Sequence, residues 1–178
     1  VFNDLFNDNL KTVEPKSPPN MSTHKDMLQQ CFHGTVSEKL KCAEEIYRRQ
    51  GTFLLQNREL CGDLEVLKKY AQLVNEQMKA MRMGEQCVRC AQNERGGCCS
   101  LYMAGETDAI QLLMNMLVGV GVEQLRGSGV ECCFLGVNGC LFLIKPFFCL
   151  NYICDKIQNT ASIKEIKKLE ILTGRLLL

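Results

Sequence analysis

The sequence predicts a mainly α-helical protein with one small β-hairpin, in which a helical N-terminal half precedes a cysteine-rich C-terminal domain. Three observations predict this fold. Apolar residues recur at helical spacing before residue 84, an Asn-Gly dipeptide lies between two apolar runs, and nine of the twelve cysteines fall between residues 87 and 154. We therefore divide the chain into an extended leader (1–21), a helical hairpin region (22–83) and a cysteine-cluster domain that ends in a helix (84–178).

The composition is that of an ordinary globular protein, with 46% apolar and 23% charged residues. Lys and Arg total 21 against 20 Asp and Glu. Because nucleic-acid binding depends on a basic surplus that neutralises phosphates, we expect no nucleic-acid partner. The richest apolar stretch, residues 132–153, is interrupted by Lys145 and by turn-forming residues, so we expect no membrane span.

Proline dominates the leader, where Pro15, Pro18 and Pro19 are incompatible with a regular helix. A short helix is expected over residues 23–32. A longer helix follows, capped by Thr35 or Ser37. Its inward stripe comprises Val36, Leu40, Ala43 and Tyr47.

The clearest helical periodicity lies between residues 60 and 81. Apolar side chains there alternate steps of four and three: Leu60, Leu64, Leu67, Ala71, Val74, Met78 and Met81. With a break at Gly62-Asp63, the helices form either an antiparallel hairpin within the chain or the seam of a homodimer. The intramolecular pair is favoured, because a coiled coil requires three or more sustained heptads. We expect this half to dock a protein partner or a second copy.

Glycine-rich loops replace long helices after Gly84. One helix is expected over residues 106–118, and a hairpin over residues 132–144 turns at Asn138-Gly139. A final helix over residues 162–172 begins with a capping box of Ser162 and Glu165. Its inward side chains are Ile163, Ile166, Leu169 and Leu172.

Cysteine carries the chemistry of the second half, because thiolates are soft ligands for zinc and for iron–sulfur clusters. A two-residue gap lets Cys87 and Cys90 reach one metal around a tight knuckle, and Gly96-Gly97 allows a close backbone approach to the metal. The hairpin and the bend at Lys145-Pro146 bring later cysteines to the same place. The candidate metal ligands are Cys87, Cys90, Cys98, Cys99, Cys133, Cys140, Cys149 and Cys154.

The sequence leaves alternatives for the roles of three cysteines, Cys98, Cys99 and Cys132. Adjacent cysteines on extended backbone point to opposite sides, so Cys98 and Cys99 serve either two metals or two edges of one cluster. Cys132 is either spare or an alternative to Cys133. Both histidines lie far from the cluster in sequence, which favours a closed all-thiolate site over a catalytic zinc.

The order of these cysteines resembles the YkgJ-like cysteine-cluster family. The match comprises Cys87-x2-Cys90, Cys98-Cys99, Cys133-Phe134-Leu135, Cys140 and Lys145-Pro146-x2-Cys149-x4-Cys154, within residues 85–156. The chain has seven residues between Cys90 and Cys98 where that family usually has two, and Lys145 where it usually has Arg. The resemblance implies a zinc- or iron-chelating domain, with relatives among flagellin lysine N-methylases.

The cysteines also bear on the compartment. An even count is typical of a disulfide-stapled extracellular domain. However, the first residues carry acids where a secretory signal carries a basic head and an apolar run. We therefore expect a cytoplasmic protein with reduced thiols, in which Cys31, Cys42 and Cys61 are core thiols, and keep the extracellular domain as an alternative.

The expected function is that of a metal-binding accessory or interaction protein. The alternative is an iron–sulfur redox or electron-transfer protein, or a methyltransferase-linked enzyme. Apolar residues around the ligands make a dry shell, which favours an iron–sulfur cluster, [4Fe-4S], over zinc. No phosphate-binding loop, dinucleotide fingerprint or nucleophile elbow is present, so no reaction is assigned.

Overall fold

The computed structural model describes residues 29, 31–92, 97–124 and 129–177. The predicted mainly helical fold with a two-stranded antiparallel hairpin is confirmed. The leader and most of the helix predicted over 23–32 lie outside the described residues. No helix in the described ranges is both long and apolar enough to cross a bilayer. The elements are α1 (Val36–Gln56), α2 (Arg58–Ala80), α3 (Met83–Ala91), α4 (Leu101–Gly105), α5 (Ala109–Leu117), β1 (Leu135–Gly136), β2 (Gly139–Cys140), α6 (Phe147–Asn151), α7 (Asp155–Thr160) and α8 (Ile163–Leu177).

A capping box starts α1. The Glu38 N–H donates to Thr35 Oγ1 (3.3 Å), and the Thr35 N–H donates to Glu38 Oε2 (2.7 Å), which confirms Thr35 as the cap. Ala43 is fully buried, and two other members of the predicted stripe pack against the same core. Tyr47 is 40% exposed, so the predicted stripe is wrong at its last position.

A single residue, Asn57, joins α1 to α2. Its N–H donates to Leu54 O (3.2 Å) at the end of α1, and its side-chain oxygen accepts from the Leu60 N–H (3.0 Å) at the start of α2. The predicted break at Gly62-Asp63 is therefore wrong. A helix tolerates an exposed glycine at a cost of about 1 kcal/mol, whereas the two caps are satisfied only at Asn57.

The two long helices pack mainly on elements of the second half of the chain. The main partner of α1 is α5, and that of α2 is α8. The apolar stripe of α2 is confirmed as its inward face, with Ala71 and Val74 fully buried. The capping box of Ser162 and Glu165 at α8 is confirmed as well. Ile163, predicted to face inward, is 75% exposed because it lies at the first position of α8, before the helix is flanked by neighbours.

The helix predicted over 106–118 begins later, at Ala109. Asp108 accepts a hydrogen bond from the Gln111 N–H (2.8 Å) and so caps α5. The separate short helix α4 precedes it, capped by Ser100.

The hairpin is shorter than the predicted range of 132–144. Leu135 pairs with Cys140 and Gly136 with Gly139, so the two turn residues are Val137 and Asn138. The predicted turn at Asn138-Gly139 is thus displaced by one residue. Gly139 instead lies in β2 with φ of 110°, a conformation that L-residues with side chains rarely adopt.

Two glycines let the hairpin turn rest directly on α3. A Cβ placed on Gly84 would lie 2.2 Å from the Asn138 carbonyl oxygen, and one placed on Gly139 would lie 2.7 Å from Gly84 Cα. This close backbone contact puts Cys140, which follows Gly139, beside Cys87, one helical turn after Gly84.

Side-chain amides hold the chain after the hairpin. Asn115, which is fully buried, donates to Ile144 O (2.9 Å) and accepts from the Ile144 N–H (3.0 Å). Gln111 also donates to Ile144 O (2.7 Å), and Asn75 of α2 donates to Leu143 O (2.7 Å). These bonds satisfy a buried backbone that no strand pairs with in the described part of the chain.

Cys31 lies in the core and Cys42 packs against it, as predicted, but they are not free thiols. Cys31 and Cys42 form a disulfide with Cα atoms 5.7 Å apart, within the usual range for such bonds. Cys61 is half-exposed, and its thiol donates to Leu55 O (3.0 Å) beside the joint between α1 and α2.

We predict that Gly84→Ala lowers the free energy of unfolding by about 1–3 kcal/mol, because the added methyl group overlaps the hairpin carbonyl. The matched control is Gly62→Ala, where an added Cβ meets no neighbouring atom within 4 Å. This control should raise the free energy of unfolding by about 0.5–1 kcal/mol. Urea unfolding measures the free energy of unfolding of both variants. A Gly84→Ala protein as stable as the Gly62→Ala protein would contradict the close contact.

Two buried polar side chains should respond oppositely to apolar replacement. Asn115→Leu leaves the Ile144 N–H unpaired and should lower the free energy of unfolding by about 1–3 kcal/mol. Thr173 is also buried, but its hydroxyl has no partner within the described residues. Thr173→Val should therefore leave stability unchanged or raise it by about 1 kcal/mol. Thermal unfolding compares them, and destabilisation by both would show that Thr173 has a partner.

Candidate metal centre

A cavity of about 550 Å³ lies between α2, α3, the hairpin and the start of α6. Three methionines, Met78, Met83 and Met103, contribute soft sulfur to its wall, and Lys145 contributes a cation. Five thiols line it, from Cys87, Cys99, Cys132, Cys140 and Cys149. The structure thus gathers at one place cysteines that are spread over more than sixty residues of sequence.

Cys87 and Cys90 lie within α3, one helical turn apart, so the predicted tight knuckle is wrong. A Cβ on Gly97 would lie 2.8 Å from Cys90 Sγ, which shows that the chain returns closely over the end of α3. The close approach predicted for this glycine is therefore made to Cys90 itself. Gly96 lies outside the described residues.

A short antiparallel bridge brings two further cysteines together. Ser100 pairs with Glu131, and the Cys132 N–H donates to Cys99 O (3.0 Å). The Leu101 N–H donates to Val130 O (2.8 Å) on the other side of the bridge. The bridge places Cys99 and Cys132 on the same wall of the cavity.

Cys132 and Cys133, adjacent in sequence, lie in different surroundings. Cys132, predicted to be spare or an alternative, lines the cavity. Cys133, predicted to be a ligand, is 2% exposed and belongs to the apolar core that contains Phe134 and Leu112. Sequence reasoning named both residues but could not tell which of two adjacent side chains faces the cavity.

Cys99 lies between Cys87 and Cys98. Hydrogen bonding with the Cys99 thiol lowers the pKa of Cys87 and lowers that of Cys98 to about 6, while the pKa of Cys99 is strongly raised. The Cys99 thiol has one proton, so it donates to one of these two sulfurs at a time. Cys98 and Cys99 thus belong to one group of neighbouring sulfurs.

Burial dominates the pKa values of the other three cavity thiols. It raises the pKa of Cys132 to about 11 and of Cys149 to about 12, and it also raises the pKa of Cys140. Thiolate neighbours add to this effect, since Cys140 disfavours the charged form of Cys149. Lys145 opposes the rise at Cys140, but Cys132 and Cys149, with pKa values of about 11 and about 12, stay protonated at neutral pH.

The remaining predicted ligands lie outside the cavity. Cys90 Sγ accepts a hydrogen bond from Lys156 Nζ (3.5 Å) on the exposed side of α3. Cys154 precedes α7 and packs against an apolar cluster that includes Leu150 and Leu169. With Cys133 in the core, five of the eight predicted ligands, Cys87, Cys98, Cys99, Cys140 and Cys149, belong to the group at the cavity.

The donor set fits a soft metal by its chemistry, since five thiols and three thioethers line the cavity. Among the described residues, however, no three His, Cys, Asp or Glu side chains are arranged to hold one metal ion. A zinc–sulfur bond is about 2.3 Å long, so ligands of one ion must converge on a point. These thiols surround a space instead. Thr107 also lines it, 3% exposed, with a hydroxyl that has no partner in the described ranges.

Comparison with protein families, with curated proteins and with solved structures found no match for this chain. The resemblance to the YkgJ-like cysteine-cluster family therefore stays a prediction.

Proposed function

We propose that this protein binds a metal–thiolate centre, an iron–sulfur cluster rather than zinc, and serves as an accessory or interaction protein built around it. The observation that carries the proposal is the gathering of five thiols around one cavity. Ordinary packing gives no reason to collect them around an open space, because buried cysteines otherwise behave as small apolar residues that fill the core.

Metal binding at the cavity cysteines would release protons, so it would be favoured as the pH rises. Burial disfavours the thiolate forms of Cys132, Cys140 and Cys149. A metal reverses this preference, because it binds thiolates and displaces their protons. The unpartnered Thr107 hydroxyl would then find an acceptor in a sulfur of the centre.

The shape of the cavity favours a cluster over a single ion. In an iron–sulfur cluster each thiolate binds a different iron, so the ligands can stand around a space as these do. Phe142 and Leu135 contribute an apolar wall, and such a wall protects a cluster from water. When bound, the cluster would supply one-electron chemistry, with Cys87, Cys99, Cys132, Cys140 and Cys149 as its candidate ligands.

Electron transfer is the second candidate function. Arg82 and Glu85 line the cavity, and their side chains are 69% and 47% exposed. A centre in this cavity would therefore lie close to the surface, where a redox partner could approach it. A reversible change in visible absorption on reduction would favour this role over a purely structural one.

Metal analysis of the anaerobically purified full chain tests the proposal. We expect several irons per chain and a broad visible absorption band. A colourless protein with stoichiometric zinc would keep the thiolate centre but contradict the iron assignment. A folded chain with neither metal and with the five cavity thiols free and reactive would contradict the proposal itself.

Substitution of the two adjacent cysteines tests the geometry. Cys132→Ala should lower the metal content, because it removes a thiol from the cavity wall. Cys133→Ala should retain the metal but lower the free energy of unfolding by about 0.5–3 kcal/mol, because it removes a buried core side chain. Cys61→Ala serves as the control and should retain both. Loss of metal only in the Cys133 variant would reverse the assignment.

A further inference from the structure

Lys145 brings a cation into the thiol-lined cavity. Its Nζ donates to Phe142 O (2.7 Å) and makes a short hydrogen bond to the Asn75 side-chain oxygen. Thiolates of Cys140 and Cys149 raise the pKa of Lys145, while burial, the larger effect, lowers it. The two oxygen acceptors fix the ammonium in place, but neither is charged.

No carboxylate pairs with Lys145 among the described residues. The acidic side chain on the cavity wall, Glu85, is engaged by Arg82 (2.6 Å) and Arg89 (3.4 Å) on the outer side. A partly buried cation without an anionic partner is costly, and cavity thiols bound to a metal as thiolates would supply the missing counter-charge.

We infer that Lys145 is the charge-compensating residue of the metal centre, held in position by Asn75; the inference rests on the proposed function. Four thiolates around a Zn²⁺ ion, or around an oxidised four-iron cluster of charge +2, leave a net charge of −2. One fixed ammonium nearby offsets half of that charge. It therefore stabilises the loaded centre, and it favours the reduced form of a cluster, which carries one more negative charge.

Asn75 gives the long helix α2 a part in this arrangement. Its side-chain NH2 donates to Ala71 O and to Leu143 O, both at 2.7 Å. With both N–H groups engaged, the side-chain oxygen is oriented toward the ammonium. Asn75, seventy positions earlier in the chain, thus fixes the position of the Lys145 ammonium.

The test compares Lys145→Gln, Lys145→Arg and Lys156→Gln in the metal-loaded full chain. Gln removes the charge but keeps an N–H donor for the two oxygen acceptors, and Arg keeps the charge. Lys156 also contacts a cysteine sulfur but lies outside the cavity, so Lys156→Gln is the matched control. For an iron–sulfur centre the readout is the midpoint potential, and for zinc it is the rate of loss to a chelator.

We expect Lys145→Gln to lower the equilibrium constant for one-electron reduction about tenfold, which is about 59 mV. For a zinc centre, loss to the chelator should be about tenfold faster. Lys145→Arg and Lys156→Gln should match the wild type. Asn75→Asp, which places a carboxylate on the ammonium, should act in the same direction and serves if the Gln variant fails to fold.

An unchanged potential and chelation rate in both the Lys145→Gln and Asn75→Asp proteins would overturn the inference while leaving the metal centre intact. An equal shift in Lys156→Gln would also overturn it, because the effect would then not depend on the cavity. A wild-type chain that carries no metal would overturn the proposed function, and this inference with it.

Discussion

The close contact between Gly84 and Gly139 is the constraint on which the rest of the site depends. It brings the backbone of the hairpin turn against the first turn of α3, nearer than any side chain would permit. Cys87 and Cys140 are neighbours because each follows one of these glycines at a short fixed distance in sequence. Gly97 makes a similarly close contact with Cys90 at the other end of α3, and this contact holds Cys98 and Cys99 near the helix. The cavity is therefore bounded by backbone contacts rather than by an extensive sheet.

Amide side chains hold the segment that follows the hairpin. Asn115 and Gln111 of α5 bind Ile144, while Asn75 of α2 binds Leu143. Such bonds are directional and leave little freedom in a short segment that has no strand partner in the described ranges. Their donors come from helices that pack on different neighbours, α5 on α1 and α2 on α8. The position of Lys145 is consequently a property of the whole helical assembly.

Local signals in the sequence predicted the helices well, because caps and stripes depend on residues only three or four positions apart. The Thr35–Glu38 and Ser162–Glu165 boxes and the buried face of α2 are examples. Prediction failed where a contact between residues far apart in sequence determines which side chain faces the cavity. The bridge between Ser100 and Glu131 selects Cys132 over Cys133, and no local pattern reveals it. The partnership of Lys145 with Asn75 is equally non-local, although an asparagine on an inward-facing part of α2 was a signal that could have been noticed.

The spread of the cavity thiols along the chain has a consequence for folding entropy. A centre that ties Cys87 to Cys149 would close a loop of about sixty residues, and in the chain-entropy treatment of cross-links such a loop destabilises the unfolded state by about 4 kcal/mol. Helices α4 and α5 and the hairpin all lie within this loop. Metal binding would thus stabilise the segment from α3 to α6 by restricting the unfolded ensemble, as a reversible cross-link does. This effect would add to the free energy of the metal–sulfur bonds themselves.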